Sequence, residues 1–226
     1  MIINIPIPLY GIIIVLSLLI GIVYILYNLN KEKVENKNIL LFFMMFLVFS
    51  FVFGKLFTVV VSRDGLNFFK AGLSSYGGLI GAIIASYIFE RIMPFDGKII
   101  KYTTLSLPLI YGLTKIACFV TGCCYGIPYN YFGYVIYPKG LNIPLFPIQI
   151  VETIVFLIIF FICNRFKNNK NIIYITLILV SLMKFLLDFL RYEHLEIMIS
   201  PNQIFSIFLF LITIIFYIIN KKVNKM

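Results

Sequence analysis

Seven long apolar runs, separated by short polar connections, constrain the fold of this chain more than any other feature. A helix that spans a bilayer needs about 20 predominantly apolar residues, and each run reaches or approaches that length. The runs cover residues 9–27, 39–61, 76–92, 99–120, 148–163, 172–190 and 203–219, of which the fifth is the shortest. They predict an all-α membrane protein, a bundle of about seven transmembrane helices in a single integral-membrane domain over residues 1–226.

The composition agrees with a membrane location. Hydrophobic residues make up 62% of the chain and charged residues only 12%, whereas about 25% of a soluble domain is charged. The net charge of +10 does not indicate nucleic-acid binding, because the basic residues form short clusters between apolar runs. Such clusters orient helices and meet anionic headgroups. No basic residue precedes the first run, so we interpret it as a membrane helix rather than a signal peptide.

Lysine and arginine are distributed unevenly between alternate connections. One set of connections, with the C-terminal tail, holds twelve: Lys31, Lys33, Lys37, Arg91, Lys98, Lys101, Arg165, Lys167, Lys170, Lys221, Lys222 and Lys225. The other set holds four: Arg63, Lys70, Lys139 and Arg191. Cytoplasmic connections carry the excess of basic residues. We therefore expect the N-terminus outside and the C-terminus in the cytoplasm.

The segment 121–147 differs from the other connections. It contains four prolines and five tyrosines and is nearly uncharged. Irregular backbone near a bilayer persists only against protein or a wet cavity, and aromatic residues favour the headgroup layer. We expect an interfacial extracytoplasmic segment between helices 4 and 5. An ordinary extracytoplasmic loop is the alternative.

Five charged side chains lie at helix depth, away from the connections: Lys55, Lys115, Glu152, Lys184 and Asp188. An ionised group at the centre of a bilayer costs about 3 kcal/mol or more, so these groups should point inward and neutralise one another. Lys184 and Asp188 are four residues apart and share one helix face. Arg191 continues that stripe, and Gln149 shares a face with Glu152. Buried ion pairs that fix helix registry are one interpretation, and a substrate path is the other.

The inward-facing groups have an excess of about two positive charges when Lys55 and Arg191 are included. An excess of this sign attracts an anion, and the abundant anion in a membrane is a lipid phosphate, which lysine and arginine bind by charge-assisted hydrogen bonds. Near the third run, Gly77, Gly78 and Gly81 indicate close helix packing. Ser74 or Ser75 is expected to cap that helix. Close helix packing does not explain Tyr76, which lies between Ser75 and Gly77 at the start of this run.

Several of these motifs together resemble one family, the prolipoprotein diacylglyceryl transferases, which are seven-helix bacterial membrane enzymes with an outer N-terminus. The resemblance extends over nearly the whole chain, in order and at similar spacing. The matching positions are Tyr10 with Gly11, Lys55, and residues 75–81, 115–126, 146–152, 184–191 and 203–206. The last three include "FPIQIVE", "KFLLDFLR" and "QIFS".

The chain also departs from the family pattern at several positions. Lys115 and Lys184 stand where the family has arginine, Cys118 where it has asparagine, Cys123 and Asp188 where it has glutamate, and Tyr76 and Phe146 where it has histidine. A lysine keeps the charge of arginine but loses its bidentate fork. A cysteine in place of glutamate changes the chemistry.

The resemblance implies transfer of a diacylglyceryl group from phosphatidylglycerol to the lipobox cysteine thiol of a preprolipoprotein, by a multi-pass protein of the bacterial cytoplasmic membrane. The implied partners are phosphatidylglycerol or a similar anionic phospholipid, the preprolipoprotein signal peptide and the membrane, without nucleic acid and without a cofactor. Because of the departures, a related lipid transferase with a different acceptor and a non-catalytic lipid-binding protein are alternatives.

The same resemblance assigns roles to individual residues. The implied catalytic residues are Tyr76, Cys118, Cys123, Glu152 and Asp188. The implied phospholipid-binding residues are Tyr10, Lys55, Gly77, Gly78, Lys115, Gly122, Gly126, Gln149, Lys184 and Arg191. The basic residues would stabilise the leaving phosphate, and Glu152, Asp188 or a cysteine would take the proton of the acceptor thiol.

The cysteines in "KIACFVTGCCYG" have three competing interpretations. A thiolate could act as a nucleophile or base, with its pKa lowered by Lys115. Two thiols could form a disulfide on an oxidising outer face. Cys118, Cys123 and Cys124 could instead be small packing residues, as buried cysteines often are. No metal site is expected, because structural zinc requires four ligands and only one histidine is present.

Overall fold

The computed structural model describes residues 8–61, 68, 72, 74–137 and 140–223. In that part of the chain the helices are α1 (Pro8–Lys31), α2 (Asn36–Val61), α3 (Ser75–Ile92), α4 (Lys98–Thr121), α5 (Ile148–Arg165), α6 (Ile172–Asp188) and α7 (Pro201–Val223), with a short 3₁₀ helix, Tyr192–Leu195, before α7. The same residues form no strand and show three isolated β-bridges. The predicted all-α fold is therefore confirmed, and each apolar run corresponds to one α-helix.

Among the described residues, five helices are long and apolar enough to cross a membrane. These spans are Leu9–Lys31, Asn36–Val61, Lys98–Thr121, Ile148–Arg165 and Pro201–Lys222. The other two helices are shorter or more polar: α6 has 17 residues, and the 18 residues of α3 include Glu90 and Arg91 near its end. The predicted class, an all-α membrane protein, is confirmed, while the orientation stays a prediction. Four of the residues counted for it, Arg63, Lys70, Lys139 and Lys225, lie outside the described residues.

The described residues divide into two compact units. One comprises Ile22–Leu107, and the other comprises Met1–Gly21 with Pro108–Met226. The first unit contains the last ten residues of α1, all of α2 and α3, and the first ten residues of α4. The second contains the end of α4 and the elements that follow it. The expected single domain over residues 1–226 stays a prediction.

In the unit Ile22–Leu107, helices α2 and α3 pack with their backbones in close approach. A Cβ atom at Gly77 would overlap the carbonyl oxygen of Phe53, and one at Gly81 would overlap that of Phe49. Gly78 is different, because a Cβ there would lie 3.8 Å from the nearest neighbouring atom, the carbonyl oxygen of Ser50. The predicted close packing at these glycines is confirmed, and it depends on two of the three.

The start of α3 lacks the side-chain cap predicted for Ser74. Ser74 occupies the N-cap position, but its side chain makes no capping hydrogen bond; its backbone N–H donates to the carbonyl of Gly54 at 3.1 Å. At the other end, the carboxylate of Glu90 accepts hydrogen bonds from the backbone N–H groups of Phe95, Gly97 and Ile99, at 2.8, 2.8 and 3.1 Å. Glu90 thus satisfies free amides at the start of α4.

The segment between α4 and α5 is folded rather than a simple loop. Val135, Tyr137 and Leu145 are buried together in a small apolar core, and the backbones of Val135 and Leu145 exchange two hydrogen bonds, of 3.0 and 2.9 Å. At the tip of this segment Tyr131 and Phe132 are exposed, at 76% and 102%. The predicted irregular segment between helices 4 and 5 is present, and its position relative to a membrane stays a prediction.

Candidate functional site

Glu152 on α5 is the centre of a buried network of charged side chains. It is only 2% exposed. One carboxylate oxygen, Oε1, accepts hydrogen bonds from Nη2 of Arg191 at 2.7 Å and from the hydroxyl of Tyr111 at 2.9 Å. The other, Oε2, lies 3.1 Å from Nζ of Lys115. Two cations and a phenol therefore hold one carboxylate, which compensates for removing it from water.

Tyr111 also brings the two lysines of the network together. Nζ of Lys184 lies 3.6 Å from the centroid of the Tyr111 ring, and Nζ of Lys115 lies 4.8 Å from it. The ring itself packs edge-on against Phe156, with centroids 4.5 Å apart. A cation over an aromatic face is stabilised by the ring quadrupole, most strongly where water is excluded. Tyr111 therefore orients both lysines while its hydroxyl binds Glu152.

Asp188, at the end of α6, connects Arg191 to the start of α7. Its Oδ1 lies 3.0 Å from Nε of Arg191. Its Oδ2 accepts a hydrogen bond from the hydroxyl of Ser200 and lies 3.4 Å from Nε2 of His194. Ser200 in turn caps α7, because its Oγ accepts from the N–H of Gln203 at 3.1 Å while Gln203 Oε1 accepts from the N–H of Ser200 at 3.0 Å. This reciprocal pair is a capping box.

The network contains one more positive charge than negative charge when His194 is counted as neutral. Its basic members are Lys115, Lys184 and Arg191, its acidic members are Glu152 and Asp188, and all five are at most 7% exposed. The predicted excess of about two had included Lys55 as well, and the part of Lys55 in it stays a prediction. Lys55 lies in the other unit, half-buried, with Nζ 3.3 Å from the carbonyl oxygen of Phe68 and 5.6 Å from the ring centroid of Phe51.

The three cysteines of the 115–126 segment meet at the end of α4. Gly122, the first residue after the helix, has φ +67°, and the N–H of Cys123 donates to the carbonyl of Cys118 at 3.0 Å. This is the Schellman ending of a helix, in which the side chains at these two positions come into contact. Cys124 adds its thiol to theirs, and the three Sγ atoms all lie within 4.8 Å of one another. All three cysteines are free, so no disulfide is formed among them.

Cys123 and Cys124 lie just outside the helix, and the pKa values of their thiols shift in opposite directions. The pKa of Cys124 is lowered, because the thiols of Cys118 and Cys123 donate hydrogen bonds to it and the charges of Lys115 and Arg191 favour its thiolate. The pKa of Cys123 is raised: its hydrogen bond from Cys118 lowers it, but its bond to Cys124 and its burial outweigh that effect. Of these two thiols, Cys124 is therefore the one whose surroundings favour a thiolate, and the catalytic role expected for Cys123 stays a prediction.

Backbone contacts connect the cysteine segment to the charged network. Nε2 of Gln149, one turn before Glu152, donates to the carbonyl of Cys123 at 2.7 Å. Gly126 forms an antiparallel bridge with Arg191, and a Cβ atom there would overlap the carbonyl oxygen of Phe146. The glycine therefore lets this part of the chain lie against the backbone of Phe146. Gly122 has a similar role, because a Cβ there would lie 2.5 Å from the ring of Tyr137.

The remaining predicted site residues have other surroundings. Tyr76 is 6% exposed and its ring stacks on that of Phe57 at 5.9 Å, within the unit Ile22–Leu107. Gly77 and Gly78 belong to the same α2–α3 packing. Tyr10, on α1 in the same unit as the cysteines, is 39% exposed and interacts electrostatically with Cys118, Cys123 and Cys124. Gly11 beside it lines a shallow apolar groove of about 430 Å³. The catalytic and lipid-binding roles expected for these residues stay predictions.

Sequence reasoning missed three residues of the network: Tyr111, His194 and Ser200. Tyr111 precedes Lys115 by four residues and so shares its helix face, a signal that was present in the sequence. The "SPNQ" capping pattern at residues 200–203 was a second signal, but it predicts only the start of α7. The contacts of Ser200 and His194 with Asp188 depend on how the chain turns after α6, and no local pattern predicts that turn.

The fold and this site together define a helical integral membrane protein with a buried, net positive ion network that links the ends of several helices. The family model described as prolipoprotein diacylglyceryl transferase matches residues 1–219. The chain therefore belongs to that family.

Curated relatives support the same assignment over most of their length. The chain is 25% identical over 230 residues to a phosphatidylglycerol–prolipoprotein diacylglyceryl transferase of Clostridium tetani. The matched region covers 94% of this chain and 92% of that relative. The chain is 24% identical over 237 residues to the protein of that name in Clostridioides difficile, which covers 96% and 92%. A Clostridium perfringens protein named phosphatidylglycerol–prolipoprotein diacylglyceryl transferase 2 is 25% identical over 85% of this chain and 80% of its own.

Proposed function

We propose that this chain transfers a diacylglyceryl group from phosphatidylglycerol to the lipobox cysteine thiol of a preprolipoprotein, as a multi-pass protein of the bacterial cytoplasmic membrane. The observation that carries the proposal is the buried network around Glu152. Its members Lys115, Lys184, Asp188 and Arg191 occupy positions at which the family motifs fall. The names of the relatives specify the lipid donor and the protein acceptor. Because this chain belongs to the same family, we assign the same two substrates to it.

In the proposed reaction the acceptor sulfur attacks the glycerol carbon that carries the phosphate. A carbon–sulfur bond forms, the carbon–oxygen bond to phosphate breaks, and glycerol phosphate leaves with the bonding electron pair. The positive charges of Lys184, Lys115 and Arg191 would stabilise the negative charge on the departing phosphate, since preorganised charges act strongly in a site that excludes water. The single excess positive charge of the network suits a phosphodiester, which carries one negative charge.

The acceptor thiol must lose its proton to become a nucleophile. Glu152 already accepts two hydrogen bonds and pairs with a second cation, Lys115, so its proposed role is to hold the cations in place rather than to take a proton. Asp188 has His194 beside it, at 3.4 Å, and this pair would take the proton, since histidine is a common proton acceptor near neutral pH. Apolar surface beside Gly11 would receive an acyl chain of the donor.

A direct test uses the purified chain in vesicles of phosphatidylglycerol with a peptide that carries a lipobox cysteine. We expect the peptide to gain the mass of one diacylglyceryl group and glycerol phosphate to appear in equal amount. A peptide with serine in place of the cysteine should gain nothing. If neither product forms while the protein remains folded, the proposal fails.

Variants of the basic residues test the role of the network. Lys184→Met and Arg191→Lys should each lower the rate by about 100-fold, the usual effect of removing one stabilising group at a developing negative charge. Arg165→Ala is the matched control, because Arg165 is exposed in the last turn of α5 and should leave the rate unchanged. Equal rates for all three variants would show that the network is structural.

A different acceptor is a second candidate function, favoured by the cysteines at positions 118 and 123 in place of the family's asparagine and glutamate. In that case the same vesicles would release glycerol phosphate when a cell extract is supplied, and the lipobox peptide would stay unmodified. Non-catalytic lipid binding predicts a third outcome, in which phosphatidylglycerol stays bound to the purified chain and is not consumed.

A further inference from the structure

The cluster of three thiols at the end of α4 is not used by the reaction described above. Cys118 is buried, and Cys123 and Cys124 are half-buried. Their Sγ atoms lie within 4.8 Å of one another. Adjacent residues such as Cys123 and Cys124 rarely pair with each other in a disulfide. Three free thiols converging on one point have the composition of a site for a soft metal ion.

The backbone is arranged to bring these thiols together. The Schellman ending places the side chain of Cys123 against that of Cys118. Cys124 then has φ +55°, the left-handed region that residues other than glycine and asparagine seldom adopt. Such a conformation persists only where surrounding contacts fix it, and it is found preferentially at functional sites. Directly before it, the carbonyl of Cys123 accepts a hydrogen bond from the side chain of Gln149, which is 0% exposed.

The separation of the sulfur atoms fits a zinc ion. Zinc–sulfur bonds are about 2.3 Å long, so two sulfur ligands of a tetrahedral zinc lie about 3.8 Å apart. The sulfur atoms here are at most 4.8 Å apart, which is within about 1 Å of that value. Rotation of the cysteine side chains would shorten these separations to the length that zinc requires. Among the described residues, no histidine, aspartate, glutamate or further cysteine completes the group. Zinc sites with three protein ligands and an open fourth position are typically catalytic.

We propose that Cys118, Cys123 and Cys124 bind one Zn²⁺ ion as three thiolates, and that the open position binds a substrate thiolate. The sequence-based expectation of no metal site assumed four spaced ligands, and it did not include the turn that brings residue 118 to residues 123 and 124. Cysteines at helix ends can also serve only as packing, and in that case no metal binds.

The second half of this proposal rests on the proposed function, because the acceptor there is a cysteine thiol. Coordination to zinc releases the thiol proton to water, since metal ligands bind in their deprotonated form. The coordinated sulfur then supplies the electron pair for the new carbon–sulfur bond, and glycerol phosphate leaves with the pair from the broken carbon–oxygen bond. No oxidant or reductant takes part. This use of zinc would replace a protein base at the acceptor sulfur.

The metal site can be tested without any activity measurement. The full chain is purified in detergent, reduced, stripped of metal under nitrogen and titrated with Co²⁺, whose thiolate complexes absorb strongly in the near ultraviolet. We expect saturation at one ion per chain and loss of the absorbance when Zn²⁺ is added. Cys118→Ser, Cys123→Ser and Cys124→Ser should each weaken binding at least 100-fold, and Cys163→Ser, on α5, should bind as the unaltered chain does.

Two results would overturn the metal site: no thiolate absorbance in the folded chain, or equal binding by Cys163→Ser and Cys124→Ser. Because Cys118 is buried, its variant is used only where the helix content of the protein is unchanged. Cys124 is half-buried, so Cys124→Ser provides the more secure comparison.

The open position is tested by adding the lipobox peptide to the Co²⁺ protein. A peptide with cysteine should shift the visible absorption bands of the ion, and the peptide with serine should not. An unchanged spectrum with both peptides would overturn the role in binding substrate and leave a metal site alone. Failure of the proposed function is distinguishable, because the peptide would then shift the spectrum without ever gaining a diacylglyceryl group.

Discussion

At the scale of single residues, Glu152 is the side chain at which the contacts of the buried network converge. Its carboxylate is the contact shared by Lys115, Arg191 and Tyr111. If the carboxylate is removed, two buried cations lose their counter-ion, and an uncompensated charge in a protein interior is far more unfavourable than a missing hydrogen bond. We therefore expect the ion pairs to be a requirement for the folded state.

We expect Glu152→Ala to lower the free energy of unfolding by about 3–5 kcal/mol, the usual effect of removing one partner of a buried ion pair. Unfolding in mixed micelles, followed by circular dichroism against denaturant, measures this change. Glu196→Gln is the control, because Glu196 is exposed and its loss should change stability by less than about 0.5 kcal/mol. Similar effects of the two substitutions would mean that Glu152 is solvated.

The sequence predicted the buried stripe of α6 and could not predict what it contacts. Lys184 and Asp188 are four residues apart and charged within an apolar run, so spacing alone places them on one inward face. Their partners lie on other helices or after a turn. Tyr111 reaches Glu152 across 41 positions of sequence and Ser200 reaches Asp188 across 12. Contacts of that kind depend on tertiary packing, which no local pattern determines.

At the scale of the helices, the glycines of α3 set how closely it approaches α2. Gly77→Ala should destabilise the protein by about 1–3 kcal/mol, as overpacking of a close interface does, because its new methyl group would overlap the backbone of Phe53. Gly78→Ala is the matched control, because its new methyl group would lie 3.8 Å from the nearest atom, the carbonyl oxygen of Ser50. Alanine also favours a helix over glycine by up to about 1 kcal/mol. Equal melting temperatures for the two variants would contradict the packing described for α2 and α3.

Glu90 provides a second test at this scale. Glu90→Ala removes the acceptor of three backbone N–H groups at the start of α4, so we expect a loss of about 1–2 kcal/mol, similar to the loss of a helix cap. The stability of Glu90→Gln should lie between that of the unaltered protein and that of Glu90→Ala. Its single side-chain oxygen can still accept from the N–H groups of Phe95 and Gly97 but not from that of Ile99. Chemical denaturation of the three proteins side by side gives the order, and a glutamine variant as unstable as the alanine variant would refute this assignment.

The positions of the helices could be predicted from hydropathy, but the fold of the segment after α4 could not. A helix satisfies its own backbone, so a run of apolar residues is enough to identify it. The chain from 122 to 147 instead satisfies its backbone through distant partners, as when Ile127 donates to Leu190 at 3.0 Å and Tyr192 donates to Tyr125 at 2.9 Å. Its prolines and tyrosines indicated irregular structure without indicating these pairs.

At the scale of the whole molecule, the asymmetric distribution of lysine and arginine predicts orientation. A reporter fused after Met226 should be active only in the cytoplasm, because the connections on that side carry most of the basic residues. A reporter inserted after Phe132, which is fully exposed, should be active only outside. The reverse result at both positions would mean that the orientation is opposite to the prediction and that the site faces the cytoplasm.

The ending of α4 has a consequence for how a family of enzymes can diversify. The backbone, through Gly122 and the bond from the N–H of Cys123 to the carbonyl of Cys118, brings positions 118 and 123 together whichever side chains they carry. Asparagine and glutamate, which the family resemblance places there, would meet in the same way. Two substitutions are therefore enough to exchange an amide and a carboxylate for a pair of thiols without refolding the chain. Inheritance can preserve the turn while selection changes the reactive groups that it presents.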